Sequence, residues 1–250
     1  AGASTMRHLG RLDTLSIESK GRNDFVTEAD RQAEQIIIDT IRGKYPDHGV
    51  NAEESGSSQD DSEFLWIIDP IDGTTNFLHG IPHFAISIAL KYRGRLDQAV
   101  VYNPATEELF TASRGAGAQL NDKRIRVRGT RDLGSALCAT GFPVRKPALR
   151  PRQDHMVKQV LDLTGDLRRA GTASLDLAYV AAGRIDAYWE FGLNEWDIAA
   201  GALLVQEAGG LTGDLAGGHD HLKSGDILAA NPKLFANFLR SVKRTPPAND

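Results

Sequence analysis

Two aspartates at the end of a short apolar run are the residues best placed to do chemistry. Asp69 and Asp72 lie three positions apart, with Pro70 between them and Gly73 directly after. Proline stops a strand ladder and glycine permits a tight turn, so both carboxylates should emerge where a buried strand ends. Carboxylates crowded in this way repel one another unless a cation lies between them, and their hard oxygens suit Mg²⁺.

The same turn could also hold an anion. The amides of Gly73 and Thr74 can point outward where the chain turns, which would place a phosphate site beside the metal site. Taken alone, however, the pattern is more typical of a solvated Asp-Pro and Asp-Gly turn. The segment therefore predicts chemistry only in combination with other residues.

Two further acidic positions strengthen the metal interpretation. Glu53 and Glu54 precede the apolar run, and Asp197 stands at the start of a helical pattern that leads to Gly210. Taken separately, the glutamates are typical of an exposed surface pair and Asp197 of an ordinary N-cap. The metal interpretation therefore depends on all these positions occurring together.

The order and spacing of these acidic stretches resemble those of a known family. The stretches are Ala-Glu-Glu-Ser at 52–55, the aspartate segment at 66–77, and the Trp-Asp segment at 196–210. Together they resemble the signature set of the inositol monophosphatase family, and the likeness extends over residues 24–232. Residues 168–184 are most similar to the bacterial inositol-1-monophosphatase type. The resemblance implies an α+β fold, the layered αβαβα sandwich of the inositol monophosphatase and fructose-1,6-bisphosphatase type.

The resemblance implies Mg²⁺ as cofactor, with two or three ions per site. Glu53, Asp69 and the carbonyl of Ile71 are implied to bind the first ion, whereas Asp69, Asp72 and Asp197 bind the second. Asp69 would then bridge both ions. Two adjacent metal ions can activate a water and stabilise the departing alkoxide of a phosphate ester.

The resemblance also implies roles for the residues around the metals. Thr74, positioned by Asp30, would orient the attacking water and help take its proton, with Glu53 in the same catalytic group. The amides of Gly73 and Thr74 would hold the phosphoryl oxygens. The implied substrate-binding residues are Glu53, Ile71, Asp72, Gly73, Thr74, Arg168, Ala173, Glu190 and Asp197.

The expected reaction is Mg²⁺-dependent hydrolysis of myo-inositol 1-phosphate, a small polyol phosphate, by a metal-activated water, with sensitivity to lithium. Relatives with the same metal motifs act on fructose 1,6-bisphosphate, adenosine 3′,5′-bisphosphate, histidinol phosphate or NADP, and the catalytic residues do not separate these alternatives. Some bacterial members also act as interaction proteins in the transcription machinery, so a protein partner of that kind is a second expected role. The family further implies a homodimer.

Periodicity and chain breakers predict the elements that position these residues. A capping box at Thr27 and helical spacing predict a helix over 28–44. Strands are expected at 64–68, 84–92, 98–102, 108–112 and 124–128, with short returns that imply antiparallel pairing. After Gly129 we expect helices at 151–164, 173–182, 197–209 and 232–242, and strands at 135–140, 185–191 and 226–230.

This change of pattern predicts two subdomains. Residues 1–129 would form an N-terminal α+β subdomain with an antiparallel sheet and most of the metal ligands. Residues 130–250 would form a C-terminal α/β subdomain that carries the substrate-contacting residues.

The composition narrows the classes of partner. The 250 residues carry 29 Lys and Arg against 33 Asp and Glu, a net charge of -4, so direct nucleic-acid binding is not expected. No stretch approaches the roughly 20 apolar residues of a membrane span, so no membrane partner is expected. The single cysteine, Cys138, excludes an intrachain disulfide and suits a cytoplasmic location.

Overall fold

A computed structural model describes residues 1–12, 17–21, 24–59 and 61–243. Within these residues the chain forms eight α-helices and fifteen strands. The helices α1 to α8 are Gly2–Leu9, Glu28–Lys44, Thr74–Leu78, Arg150–Leu163, Ala173–Ala181, Glu195–Glu207, His221–Ser224 and Pro232–Lys243. The strands β1 to β15 are Ile17–Gly21, Asp24–Thr27, Gly49–Ala52, Gly56–Ser58, Phe64–Asp72, Ala85–Tyr92, Arg95–Asn103, Glu108–Ser113, Gly117–Leu120, Lys123–Arg124, Leu137–Thr140, Asp166–Arg168, Ala187–Glu190, Leu211–Gly213 and Ile227–Ala230.

Helix α2 begins and ends where the sequence predicts. The Thr27 hydroxyl accepts hydrogen bonds from the amides of Ala29 and Asp30, and the Asp30 carboxylate accepts one from the Thr27 amide, which completes a capping box. The helix ends at Lys44, before Tyr45 and Pro46. The predicted helix over 28–44 is therefore confirmed.

Two large sheets hold most of the remaining chain. The first has eight strands in the order β10-β9-β8-β7-β6-β5-β3-β4, and the second has five in the order β12-β11-β13-β15-β14. Every pairing in the first sheet is antiparallel except β3 with β5, which run parallel. The second sheet is mixed, because β11 pairs in parallel with β12 and β13, whereas β15 is antiparallel to both neighbours. The antiparallel character expected of the first half is confirmed.

Successive side chains along each strand point to opposite faces of its sheet, and this alternation separates three apolar layers. Ile67 faces a central core shared with α5 and α6, whereas Ile68 faces α2 on the outer side of the first sheet. In the second sheet Tyr188 faces the central core, and Trp189 faces α4 and α8 on the outer side. The layers are therefore helix, sheet, helix, sheet, helix, which confirms the predicted α+β sandwich.

Strand β5 runs further than the sequence predicts. It was expected to end at Ile68, but it continues through Pro70 to Asp72. The register with β6 shifts between Asp69 and Asp72, so a bulge takes up the extra residue and the proline needs no ladder bond there. The predicted strand end was wrong because a bulge tolerates proline where a regular ladder does not.

Two other predicted boundaries also differ. The strand expected over 124–128 is wrong, because the strand that pairs with β9 is Lys123–Arg124, followed by one further bond from the Ile125 amide to the Ala118 carbonyl. Beyond it, the amide of Val127 bonds to the carbonyl of Ala208 at the end of α6, so the segment leaves the sheet for that helix. The helix expected over 197–209 instead spans Glu195–Glu207.

The division near residue 130 stays a prediction. The eight-stranded sheet lies before that position and the five-stranded sheet after it, yet α5 and α6 pack in one core with both sheets. Residues 244–250 of the second predicted subdomain lie outside the described residues. Within the described part of the chain, no helix has the length and apolar content needed to cross a membrane.

Candidate active site

Three predicted metal ligands from two distant parts of the chain meet at one point. Asp69 and Asp72 lie on the last residues of β5, and Asp197 lies in the first turn of α6. Each offers a carboxylate oxygen, and these oxygens all lie within 4.8 Å of one another. Asp69 and Asp72 are buried and Asp197 is half-buried. The fold therefore gathers a compact set of acidic oxygens at the point where β5 ends.

The bulge and the following turn orient the two aspartates of β5. Asp69 Oδ1 accepts a hydrogen bond from the amide of Ile71 at 3.0 Å, which holds the carboxylate against its own strand. Gly73 then takes a φ of 91°, a left-handed conformation that favours glycine. A Cβ at this position would lie 2.4 Å from Thr172 Oγ1, so the turn also needs the space that glycine leaves.

Backbone amides on neighbouring helices anchor the other two carboxylates. Asp72 Oδ2 accepts from the amide of Ser174, in the first turn of α5, at 2.6 Å. Asp197 Oδ2 accepts from the amide of Asn194 at 2.6 Å in a capping box, so Asp197 is the third residue of α6 and not its N-cap. The anchors restrict how each carboxylate can turn, so the cluster is preorganised.

Parallel pairing brings Glu53 to the same place. In the register of β3 with β5, Ala52 lies opposite Ile68, so Glu53 follows β3 beside Asp69. The Glu53 amide bonds to the carbonyl of Ile68 at 3.1 Å. Its carboxylate Oε1 lies 3.9 Å from Arg145 Nη1, and the side chain is 12% exposed. Glu53 therefore adds a fourth carboxylate beside the three that cluster.

Burial and mutual repulsion dominate the electrostatics of the cluster. Burial raises the pKa of Asp69 well above its usual range, and the charges of Glu53, Asp72 and Asp197 raise it further. Burial likewise raises the pKa of Asp197, with Asp72 the next cause. The pKa of Asp72 rises to about 6, again through burial, although the Ser174 amide opposes the change. A divalent cation would remove this repulsion, and a set of carboxylate oxygens is the donor set that Mg²⁺ prefers.

The geometry of Thr74 and Asp30 differs from the expected pairing. Thr74 Oγ1 donates to the carbonyl of Ile71 at 3.1 Å instead of bonding to Asp30. Asp30 Oδ2 accepts from the amide and the hydroxyl of Thr27, while its buried Oδ1 has no hydrogen-bond partner among the described residues. Burial raises the pKa of Asp30 to about 6, and the bonds from Thr27 oppose this. An orphaned carboxylate oxygen beside the acidic cluster fits a site that takes a polar ligand or a cation.

A cleft of about 160 Å³ opens over the cluster. Six of the predicted site residues line it, namely Asp72, Gly73, Thr74, Ala173, Glu190 and Asp197. Ile71 lies beneath it, buried, with its carbonyl held by Thr74. Arg168 does not line the cleft: its exposed guanidinium pairs with Asp166 at 2.6 Å, and the next residue, Arg169, lines the cleft in its place.

Glu190 is a further carboxylate that lines the cleft. Burial raises its pKa to about 7, whereas the hydroxyl of Tyr188, which donates to Oε2 at 2.5 Å, opposes the rise. The charge of Arg169 also opposes it, more weakly. A carboxylate held by a tyrosine hydroxyl at the wall of a cleft is suited to accept hydrogen bonds from the hydroxyls of a ligand.

The sequence interpretation missed several residues that the structure places at the site. The backbone amides of Ser174 and Asn194 donate to the carboxylates of Asp72 and Asp197. Three basic residues also line the cleft, namely Arg145, Lys146 and Arg169. The Asn194 to Asp197 spacing is a capping-box signal that could have been found in the sequence. The amide of Ser174 carries no sequence signal, because any residue type can supply it.

Comparison with known proteins identifies the family of this chain. A family model described as the inositol monophosphatase family matches residues 1–246. The chain belongs to the inositol monophosphatase family. Members of this family are metal-dependent phosphatases, and the chain has an acidic cluster of three aspartates that could hold a metal ion.

Individual relatives in the inositol monophosphatase family are similar over nearly their whole length. The chain is 52% identical over 254 residues to the Nus factor SuhB of Pseudomonas aeruginosa, covering 99% of this chain and 94% of that protein. It matches the crystal structure of the extragenic suppressor protein suhB from Bartonella henselae with a TM-score of 0.94 and 44% identity, covering 98% and 95% of the two chains. An IMPase/NADP phosphatase complexed with Mg²⁺ and phosphate matches with a TM-score of 0.84 and 26% identity, covering 96% and 90%.

Proposed function

We propose that this protein is a Mg²⁺-dependent phosphatase that hydrolyses myo-inositol 1-phosphate to inositol and phosphate. The observation that carries the proposal is the set of three anchored carboxylates, each with an oxygen within 4.8 Å of the others, two of which, Asp72 and Asp197, line a cleft. Such a set is costly to bury unless it holds a cation. Membership of the inositol monophosphatase family and the match to a phosphatase complexed with Mg²⁺ and phosphate support the same reading.

The residues present fit two or three Mg²⁺ ions. Glu53, Asp69, Asp72, Asp197 and the carbonyl of Ile71 would hold them, and all are oxygen donors. When bound, Mg²⁺ supplies positive charge that neutralises the carboxylates, favours deprotonation of water and offsets the charge that develops on the phosphate ester. Lithium sensitivity, which the family resemblance implies, would then reflect competition for this same set of oxygens.

The chain's own residues would orient the attacking water and the phosphate. Thr74 lines the cleft, and its hydroxyl donates a hydrogen bond to the carbonyl of Ile71. If the hydroxyl turns away from this carbonyl, it can face a water and accept a proton from it. The unpartnered Oδ1 of Asp30 could receive the hydroxyl proton of Thr74 once that hydroxyl turns. The Gly73 turn would present backbone amides to the phosphoryl oxygens.

Glu190 and its neighbours in the cleft would bind the polyol. Glu190 is held by Tyr188 and can accept hydrogen bonds from substrate hydroxyls, with Ala173 and Asp197 lining the space between. Arg168, which the family resemblance also implies in substrate binding, would have to rotate away from Asp166 to reach the cleft.

A phosphate-release screen tests the substrate. Myo-inositol 1-phosphate should give the highest kcat/KM among the set that also contains fructose 1,6-bisphosphate, adenosine 3′,5′-bisphosphate, histidinol phosphate and NADP. A higher value for any of the other four would replace the proposed substrate and leave the phosphatase assignment intact. Absence of release from all five would contradict the proposed function.

A second proposed role is protein contact in the transcription machinery. The observation that favours it is the 52% identity to a protein named Nus factor, over nearly the full length of both chains. We propose a cytoplasmic protein, acting as a homodimer, that makes this contact independently of hydrolysis. Asp72→Asn should then abolish phosphatase activity but restore growth to a host that lacks its own copy. Failure of the folded variant to restore growth would contradict an independent role.

A further inference from the structure

A buried carboxylate on α2 belongs neither to the metal set nor to the groups proposed to bind substrate. Glu34 is 3% exposed, although it is an acidic residue in the middle of the helix. Burying a carboxylate is costly unless hydrogen bonds compensate it, and an apolar side chain of similar volume would fill the same space without that cost. The hydrogen-bond partners of Glu34 therefore indicate what its carboxylate does.

Both oxygens of Glu34 accept hydrogen bonds from successive backbone amides. Oε2 accepts from the Glu54 amide at 2.9 Å, and Oε1 accepts from the Ser55 amide at 2.8 Å. Hydrogen bonds from N–H groups to an ionised carboxylate are stronger than those between neutral groups. One side chain of α2 thus fixes two neighbouring peptide groups that lie 20 and 21 residues further along the chain.

These two amides belong to the tight turn that carries Glu53. Strands β3 and β4 form a hairpin in which Ala52 pairs with Gly56, so the three residues between them make the turn. Glu53 is the first of the three, and its own amide bonds to the Ile68 carbonyl at 3.1 Å. Strand β4 is an edge strand of only three residues, so it restrains the turn weakly. Glu34 supplies a second attachment, from the helix that packs on this sheet.

Asp30, on the same face of α2, provides a contrast. Asp30 and Glu34 are four residues apart, so they are neighbours on one side of the helix, and both are buried. Asp30 Oδ1 has no hydrogen-bond partner among the described residues, and the proposed mechanism uses that oxygen. Glu34 has a backbone amide on each of its oxygens instead, which suits a residue that positions other groups.

We propose that Glu34 is a positioning residue, which fixes the turn 53–55 so that the Glu53 carboxylate is held where it would bind Mg²⁺. The proposal rests on the proposed metal-dependent function, because it takes Glu53 as a metal ligand. If the two amides lose their acceptor, the turn can sample other conformations, and only a fraction of these would present Glu53 to the ion. The apparent affinity for Mg²⁺ then falls by that fraction.

Amide exchange and Mg²⁺ binding test this role. Glu34→Gln keeps the volume and one acceptor oxygen but places an NH₂ group opposite a backbone N–H, so the turn should loosen. In the metal-free protein, NMR should show the Glu54 and Ser55 amides exchanging about tenfold faster than in the wild type. Calorimetry should show Mg²⁺ bound about tenfold more weakly. At saturating Mg²⁺, kcat should return close to the wild-type value, because the bound ion restores the turn.

A double-mutant cycle separates positioning from general destabilisation. Glu53→Gln removes the ligand that Glu34 would position, so adding Glu34→Gln to it should weaken Mg²⁺ binding by less than about twofold more. A purely structural role for Glu34 would give the same loss of affinity with and without Glu53→Gln. Glu28→Gln makes the same chemical change at an exposed position of α2, and it should leave Mg²⁺ binding and both exchange rates unchanged.

Three results would overturn the role of Glu34: wild-type Mg²⁺ affinity in the folded Glu34→Gln variant, unchanged exchange of the two amides, or equal losses of affinity with and without Glu53→Gln. If Glu34→Gln does not fold, the wild type decides, because coupling is reciprocal. Mg²⁺ should then slow exchange of the Glu54 and Ser55 amides, and no slowing would overturn the role. If the wild type binds no Mg²⁺, the metal-dependent function fails, and exchange in metal-free Glu34→Gln still judges whether Glu34 fixes the turn.

Discussion

Asp72 shows that the acidic cluster lowers the stability of the metal-free fold. It is buried, its carboxylate accepts a hydrogen bond from the Ser174 amide, and its pKa rises to about 6 from an ordinary value of 3.8, mainly through burial. Burial therefore makes ionised Asp72 unfavourable in the metal-free protein, and the other carboxylates add repulsion to Asp69 and Asp197. The residues that should hold Mg²⁺ are thus residues that the metal-free fold would be more stable without.

Replacing Asp72 by asparagine should therefore stabilise the metal-free protein. The amide keeps an oxygen for the Ser174 N–H and removes the buried charge. In EDTA at pH 8, we expect Asp72→Asn to raise the free energy of unfolding by about 1–3 kcal/mol, while the stabilisation that Mg²⁺ gives the wild type is lost. Chemical denaturation with and without Mg²⁺ measures both effects.

The pH dependence supplies the control for this prediction. Because the folded pKa is raised, the wild type loses stability as pH rises from about 4 to above 6, and the loss is complete above the folded pKa. The gain from Asp72→Asn should therefore be small at pH 4, where the aspartate is protonated, and full at pH 8. A variant less stable than wild type in EDTA at pH 8 would contradict the electrostatic account.

Thr74 should matter for the rate more than for binding. If its hydroxyl orients the attacking water, Thr74→Ala should lower kcat by about 10² to 10⁴ with a smaller change in KM. Thr74→Ser keeps the hydroxyl and should recover much of the rate. Steady-state kinetics of both variants checks this, and equal kinetics for the alanine and serine variants would remove Thr74 from the catalytic group.

At the scale of elements, the packing of α5 against α6 places Asp197 opposite Asp72. Gly201 lies in α6, and a Cβ there would lie 2.5 Å from Leu177 Cβ in α5. Because that atom is attached directly to the backbone, a larger residue would have to separate the helices. The position of Asp197 therefore depends on a glycine one turn further along its own helix.

Gly201→Ala should destabilise the protein and weaken its response to Mg²⁺. We expect a loss of about 1–3 kcal/mol in the free energy of unfolding from overpacking, and a higher Mg²⁺ concentration for half-maximal activity. Gly43→Ala in α2 is the matched control, because a Cβ there meets nothing within 4 Å, and it should stabilise by up to about 1 kcal/mol. Equal effects of the two substitutions would show that the helix contact does not set the site.

Helices and strands were predictable from the sequence where the residues that mark them lie close together in the chain. The capping box at Thr27 and the helical spacing after it fixed α2, and the apolar run before Asp69 identified most of β5. The bulge at Pro70 was not predictable, because it depends on the pairing partner β6. Nor was the choice between Arg168 and Arg169 predictable from the sequence. Arg168 ends the edge strand β12 and pairs with Asp166, whereas Arg169 follows the strand and lines the cleft.

For the whole molecule, the site depends on contacts that no local pattern contains. Glu53 reaches Asp69 through a parallel strand pair, and Asp197 reaches Asp72 through the layer of helices between the sheets. These residues were predicted as one site only through the family resemblance, because the family's signature includes all three separated stretches. The net charge of -4 gives no information about the cleft, whose lining carries Arg145, Lys146 and Arg169 as well as its carboxylates.

The metal dependence of catalysis is measured by following phosphate release from myo-inositol 1-phosphate while Mg²⁺ is titrated into chelator-stripped enzyme. We predict no turnover before Mg²⁺ is added, saturable activation afterwards, and no activation of Asp69→Asn at any Mg²⁺ concentration. Asp39→Asn, which changes an exposed carboxylate on α2, should behave as wild type. Full turnover in metal-free buffer, or a near-normal rate for Asp69→Asn, would contradict a metal-dependent phosphatase built on this cluster.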